Sequence, residues 1–258
     1  MLEDELKVCL FLRTNKGVEL TEAGRSLYQQ SQHMFQNFRM MVDSVRDVDA
    51  GVRGLLKVGV VYSNTPVVLN YLKAYHKEYP QVELYIRVGA PGDLLDDLNK
   101  GDLHVLFLRT PTEGSSDFHE KILGEDPLEL VMCPELDPAP DQDSIPIELL
   151  KDVPMCLLRS DDLWGYSSHL INECQRKGFT PYTVCQCYDT PMTMQLVQAG
   201  FGISYLPRSI VETHPGSNIY SKPLVGLPAK SYPTLLWSSN IYYANCVKRF
   251  ISMFGYPT

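Results

Sequence analysis

The sequence contains no apolar run approaching the roughly 20 residues of a membrane span, and no basic-then-apolar leader at its start. No membrane span is expected, therefore, and the expected location is cytoplasmic. Positive charge is also scarce. The 23 Lys and Arg face 31 Asp and Glu, a formal net charge of -8. So acidic a chain is not, as a whole, a nucleic-acid glove, although a small element could still touch DNA. The cysteines number seven, an odd count at irregular spacing, which fits reduced thiols better than a disulfide framework. The six histidines are scattered. Cys185-x-Cys187 falls on an expected strand, where the two side chains are expected on opposite sheet faces. No second Cys/His pair at zinc spacing accompanies it, so no metal is expected. A P-loop, a Gly-x-Gly-x-x-Gly and a Gly-x-Ser-x-Gly elbow are all missing. Ser63 has no assignable base, so neither an enzyme nor a cofactor is expected.

What the chain does have is size and patterning. Its 258 residues, 44% hydrophobic and 21% charged, allow one small element with a large core, or two modest lobes. Residues 20–50 hold one long amphipathic stretch, with Thr21 as a capping residue and no Pro. Leu27, Met34, Phe38, Met41, Val45 and Val48 follow a 4-3 repeat broken only at Ser31. A rod about 45 Å long is too long for one small core to cover, which predicts a dimerisation helix. The plainer alternative is a helix lying on its own domain. Before it, Phe11 to Thr21 reads as two short extended pieces around Asn15-Lys16-Gly17, the wing of a winged helix-turn-helix. Arg13, Thr14 and Lys16 at its tip are placed to meet DNA.

Leu2-Glu3, Leu10-Phe11-x-Arg13 and Val18-x-Leu20-Thr21-x-Ala23-Gly24 together resemble the end of the DNA-binding domain of LysR-type transcriptional regulators. The resemblance extends to the C-terminus, where Val197 to Pro207 matches the family's Val-x-Ala-Gly-x-Gly-Ile-x-x-Leu-Pro. It implies that further base-reading helices belong before this point. Residues 1–50 carry six Lys/Arg and eight Asp/Glu, so the chain as given is expected to bind double-stranded DNA weakly or not at all.

From Gly54 the pattern alternates strand and helix. Strands are expected at 55–61, 82–88, 103–108, 154–158, 182–187, 203–206 and 232–237. Helices are expected at 65–79, 92–100, 163–177, 190–200 and 240–254, with extended crossings at 127–132 and 219–223. This predicts an α/β fold with two Rossmann-like lobes on mostly parallel sheets, a clamshell like that of periplasmic solute-binding proteins. The expected division is a wing remnant at 1–20, a linker helix at 21–53, and an effector-binding domain at 54–258. Lobe I would take about 54–126 and 228–258, and lobe II about 127–227.

Asn64-Thr65-Pro66 and Asp189-Thr190-Pro191 are two copies of one feature, a strand end followed by Thr as N-cap and Pro in the first helical turn. Ligands of open α/β sheets bind beyond the carboxyl ends of the strands, and helix starts receive anions. A small anionic or polar metabolite is therefore expected between the lobes. Ser63, Asn64 and Thr65 would touch it from one side, Tyr188 and Thr190 from the other. Ala90, Pro91, Arg109, Ser160 and Phe201 are further candidates, the last between Gly200 and Gly202. Thr-Pro also caps helices that bind nothing, Arg109 suits an ion pair equally well, and Trp164 suits a core. The resemblance implies a homodimer or homotetramer in which the effector re-poses paired linker helices on DNA. A solute-binding or sequestering protein is the alternative.

Overall fold

Thr21 opens the long helix as a capping residue should. Its hydroxyl accepts the Gly24 N–H at 2.9 Å and donates to the Cys9 carbonyl at 2.7 Å. In this computed structural model residues 2–14, 17–47, 52–109, 117–159, 166–214, 218–227, 229–239, 241 and 243–256 are described. A short helix α1 (Leu2–Leu6) precedes the antiparallel hairpin β1 (Phe11–Thr14) and β2 (Gly17–Leu20). The Glu3 carboxylate accepts the Leu10 N–H at 2.6 Å, closing α1 onto the hairpin. Gly24 is needed there, because a Cβ would stand 2.1 Å from the Leu10 carbonyl oxygen. Helix α2 (Glu22–Asp47) leaves Tyr28, Met34, Phe35, Phe38 and Met41 each more than half exposed, an apolar face largely uncovered among the described residues. Of the expected seam, Val48 and the side chain of Val45 lie outside the described residues. No helix among the described residues is long and apolar enough to cross a membrane.

Lobe I comprises β3 (Gly54–Val61), α3 (Thr65–Glu78), β4 (Val82–Gly89), α4 (Pro91–Lys100), β5 (Val105–Leu108) and β6 (Phe118–Ile122). Its sheet runs β4-β3-β5-β14-β6, where β14 (Thr234–Ser238) arrives from the far end of the chain. Alternation along each strand divides the core between two faces. Val105, Phe107, Leu235 and Trp237 pack with Tyr75 of α3 and Phe250 of α8 (Asn245–Ser252). Leu106, Leu108 and Leu236 pack with Leu94 and Leu98 of α4. The sheet is not wholly parallel. Strand β14 enters antiparallel to both neighbours because the chain returns from lobe II, and β6 has no recognisable pattern in the sequence.

Lobe II holds β7 (Asp126–Met132), β8 (Ile145–Pro146), β9 (Pro154–Leu158), α5 (Tyr166–Arg176), β10 (Tyr182–Cys187), α6 (Thr190–Gln198), β11 (Ser204–Pro207), α7 (Arg208–Glu212), β12 (Tyr220–Val225) and β13 (Lys230–Ser231). A bridge from Met155 to Ile203 joins the β10-β9 pair to the sheet β11-β7-β12-β8. Helices α5 and α6 cover its two faces. Both passages between lobes are strands, and they pair, Asp126 with Ser231 and Pro127 with Lys230.

Two local expectations are corrected. Cys185 and Cys187, two residues apart, share the inward face of β10, as a period of two requires, and do not oppose each other. The sulfur of Cys185 lies against Cys156 on the paired strand. Nor is Thr the N-cap of either Thr-Pro helix. Those positions belong to Asn64 and Asp189, and each Thr is already helical.

Candidate functional site

The two Thr-Pro starts stand at the carboxyl ends of β3 and β10, and α6 of lobe II comes against the turn at 62–64 in lobe I. That turn is one of 3-10 helix running directly into α3. Asn64 is fully buried beneath it, and its Nδ2 donates to the Leu108 carbonyl at 2.7 Å. Because Nδ2 is fixed, the other amide atom must be the oxygen, and Asn64 Oδ1 is buried without a partner. Thr65 is exposed, and its hydroxyl turns back to the Tyr62 carbonyl at 3.0 Å. At the second start, the Asp189 carboxylate accepts the Met192 N–H at 2.7 Å. Thr190 is buried and its Oγ1 has no partner. Ser167, in the first turn of α5, presents a third buried atom without a partner, its hydroxyl oxygen. A fourth, Ser204 Oγ, lies at the start of β11, away from that strand's carboxyl end. Each such atom costs about 1–3 kcal/mol when left unbonded in a folded core.

Arg109 is the hub beneath the cleft. Its Nε and Nη2 donate to the Ser63 carbonyl at 2.8 and 2.5 Å, and Nη2 also donates to Ser209 Oγ at 2.9 Å. Its Nη1 donates to Asp126 at 2.5 Å and to Ser231 Oγ at 3.0 Å. All five guanidinium donors are therefore spent. The Ser209 hydroxyl donates in turn to Asp126 at 2.5 Å, and Ser231 Oγ donates to the Asp126 carbonyl at 3.1 Å. Burial pushes the Tyr166 hydroxyl up to about 12, against the pull of the Arg109 charge, so this tyrosine stays neutral beside Ser63 and Ser231. One buried ion pair thus ties the end of the first strand of lobe I to both crossing strands and to the start of α7 in lobe II.

The candidates named from sequence divide accordingly. Ser63, Asn64 and Thr190 are buried on the facing elements. Thr65, Ala90, Pro91 and Tyr188 are exposed, with Arg159 lying over the Tyr188 ring at 5.5 Å. Ser160 and Lys16 lie outside the described residues, as does the side chain of Thr14, while Arg13 is exposed on β1. Two assignments are corrected. Arg109 has no donor left for a ligand, because it is the internal partner of Asp126. Phe201 follows the C-terminal end of α6, where Gly202 packs so closely that a Cβ would stand 2.6 Å from the carbonyl oxygen of Pro154, at the start of β9. That is the end of the sheet opposite the cleft. Sequence reasoning missed Asp126, Tyr166, Ser167, Ser209 and Ser231. Only Asp126, beside a crossing strand, left any signal.

A separate cavity of about 330 Å³ lies against the crossing strands, lined by Val67, the 123–127 segment, Arg208, Ser209, Glu212 and Pro233. Its charges are largely matched internally: Arg208 pairs with Glu129 at 3.2 Å, Glu125 with Lys230, and Asp126 with Arg109. Among the described residues there is no group of His, Cys, Asp and Glu able to hold a metal ion.

Comparison with known proteins agrees with this architecture. The family model for the LysR substrate binding domain matches residues 49–255. The HTH-type transcriptional regulator BsdA of Bacillus subtilis (strain 168) is 27% identical over 254 residues, covering 98% of this chain and 87% of the relative. A full-length, singly substituted OxyR from Pseudomonas aeruginosa superposes with a TM-score of 0.67 at 26% identity, covering 98% of this chain and 80% of that one. The effector binding domain of QuiR in complex with shikimate gives a TM-score of 0.66 at 17% identity, covering 79% and 96%. Its relatives are named as regulators rather than enzymes. The chain belongs to the LysR family of transcriptional regulators, and most of its length is the effector-binding domain.

Proposed function

We propose that the gap between the 62–64 turn and the start of α6 is the effector site of this regulator. Ser63, Asn64 and Thr190 form its floor, and Thr65, Ala90, Pro91 and Tyr188 its rim. The observation that carries this is the pair of unpartnered buried atoms, Asn64 Oδ1 and Thr190 Oγ1, on the two elements that face each other. Folded chains rarely leave such atoms unsatisfied except where function uses them. The QuiR effector binding domain, a fold relative, is solved in complex with shikimate, which supports a small molecule as occupant. The division of labour follows the elements: the hairpin region 1–20 contacts DNA, the helix region 21–53 pairs protomers, and residues 54–258 sense the effector, with lobe I at about 54–126 and 228–258. An effector that binds the two lobes together favours one lobe arrangement and so shifts the population of DNA-bound states.

The test is a promoter reporter that responds to the wild-type protein. Thr190→Val should keep promoter occupancy and lose the response. A Thr190→Val protein that still responds would remove the cleft from the mechanism. Phe38→Glu with Met41→Glu should abolish self-association on size exclusion while leaving each chain folded, since both side chains are exposed within one chain. A free-standing solute binder needs no such helix, and the comparisons do not favour one.

A further inference from the structure

The geometry points to an uncharged or cationic, hydroxyl- or amine-bearing molecule as the occupant of the cleft, not a carboxylate or phosphate. The assignment rests on the cleft being the effector site. Three features that would hold an anion are already committed. Arg109, the buried cation under the cleft, spends its donors on Ser63, Asp126, Ser209 and Ser231. The positive end of the α6 dipole already carries the Asp189 carboxylate, and Pro191 supplies no N–H. At the other start Pro66 supplies none either, and the Thr65 N–H is bonded to the Tyr62 carbonyl. What remains includes one atom that only a donor can satisfy. Asn64 Oδ1 can only accept, and Thr190 Oγ1 and Ser167 Oγ each accept or donate. An anion entering this floor would lose its hydration and meet an acceptor, a large cost with no buried cation left to offset it, since Arg159 is exposed over the Tyr188 ring. A ligand hydroxyl or amine meets the same floor with a hydrogen bond to give.

A second signature separates this from an ordinary packing defect. Since Thr190 Oγ1 has no partner, Thr190→Val removes an unsatisfied group and keeps the shape. The variant should melt at the same or a higher temperature than wild type and yet bind more weakly.

The experiment equilibrates the full chain with a deproteinised bacterial metabolite extract supplemented with myo-inositol, adenosine, putrescine, benzoate and shikimate. The protein is then desalted, and retained molecules are identified by mass spectrometry in both ionisation modes. The expected result is a retained neutral or cationic molecule whose binding falls about tenfold in Thr190→Val, the loss of one buried hydrogen bond. A retained carboxylate or phosphate whose binding falls in Thr190→Val overturns the ligand class and leaves the cleft as the site. A molecule retained equally by wild type and Thr190→Val, or none retained by wild type, overturns both. Asn64→Leu is the second variant, and its Tm reports whether loss of the Leu108 contact has unfolded lobe I.

Discussion

The two Thr-Pro starts share a tripeptide pattern and fold differently. In lobe I the strand runs into a 3-10 turn, so the residue before Thr is swallowed by the core and Thr65 is left outside. In lobe II the strand ends in an extended Asp189 that caps its own helix, and Thr190 is the buried residue. The difference lies in what holds each start. Asp189 serves its helix locally, through a bond to Met192 three residues on. Asn64 and Ser63 are held from a distance, by Leu108 and Arg109. One start is therefore autonomous, and the other depends on the crossing strands.

The largest expected effect separates the two. Arg109→Met should cost about 3–5 kcal/mol by leaving Asp126 buried and unpaired. Hydrogen exchange should then rise at 62–66 with little change at 190–193, and equal loosening of both would refute the contrast. Acid should act next, through His104 of lobe I. His104 is held down to about 4, first by burial and then by Lys57, and its Nδ1 accepts the Lys57 N–H at 3.1 Å. Against an unfolded value near 6.5, the unfolded chain binds the extra proton between these limits. This contribution is therefore whole above about pH 6.5 and is lost toward pH 4, about 3 kcal/mol in all. Urea unfolding of wild type against His104→Asn across that range checks it, since the wild type should show the steeper slope.

Asp189→Ala should cost about 1 kcal/mol, the worth of an N-cap, and loosen only the second start. Thr190→Val should gain up to about 1 kcal/mol. Thr65→Val, at an exposed position, should stay within about 0.5 kcal/mol. A Thr65→Val cost above that of Asp189→Ala would show that the first start is locally held after all.

Much of this is legible in the sequence, for physical reasons that are local. The N-cap at Thr21, the hairpin before it and the strand-helix alternation all follow from short-range pattern, and so does the placing of polar residues at strand ends. What is not legible depends on partners distant in sequence. Nothing near Arg109 discloses that Asp126, Ser209 and Ser231 will claim every donor, because those contacts span up to 122 residues. The same holds for β14, whose direction is set by the chain's return from lobe II. Asn64 and Asp189 displace Thr as caps because burial decides the register. Phe201 is drawn to the site by its flanking glycines, but Gly200 takes a positive φ after α6 and Gly202 allows the close approach to Pro154.

The two passages between lobes run side by side as antiparallel strands, Asp126 opposite Ser231 and Pro127 opposite Lys230, and the Leu128 N–H donates to the Ala229 carbonyl at 2.9 Å. Two separate linkers would let one half of the clamshell swivel, slide or open against the other. A ladder stitched side by side bends readily across its width and resists torsion, leaving a single mechanical freedom. Occupancy of the cleft would then emerge at the far side of lobe I as one rotation of fixed axis, which is the form of motion a rigid 26-residue helix can carry to DNA.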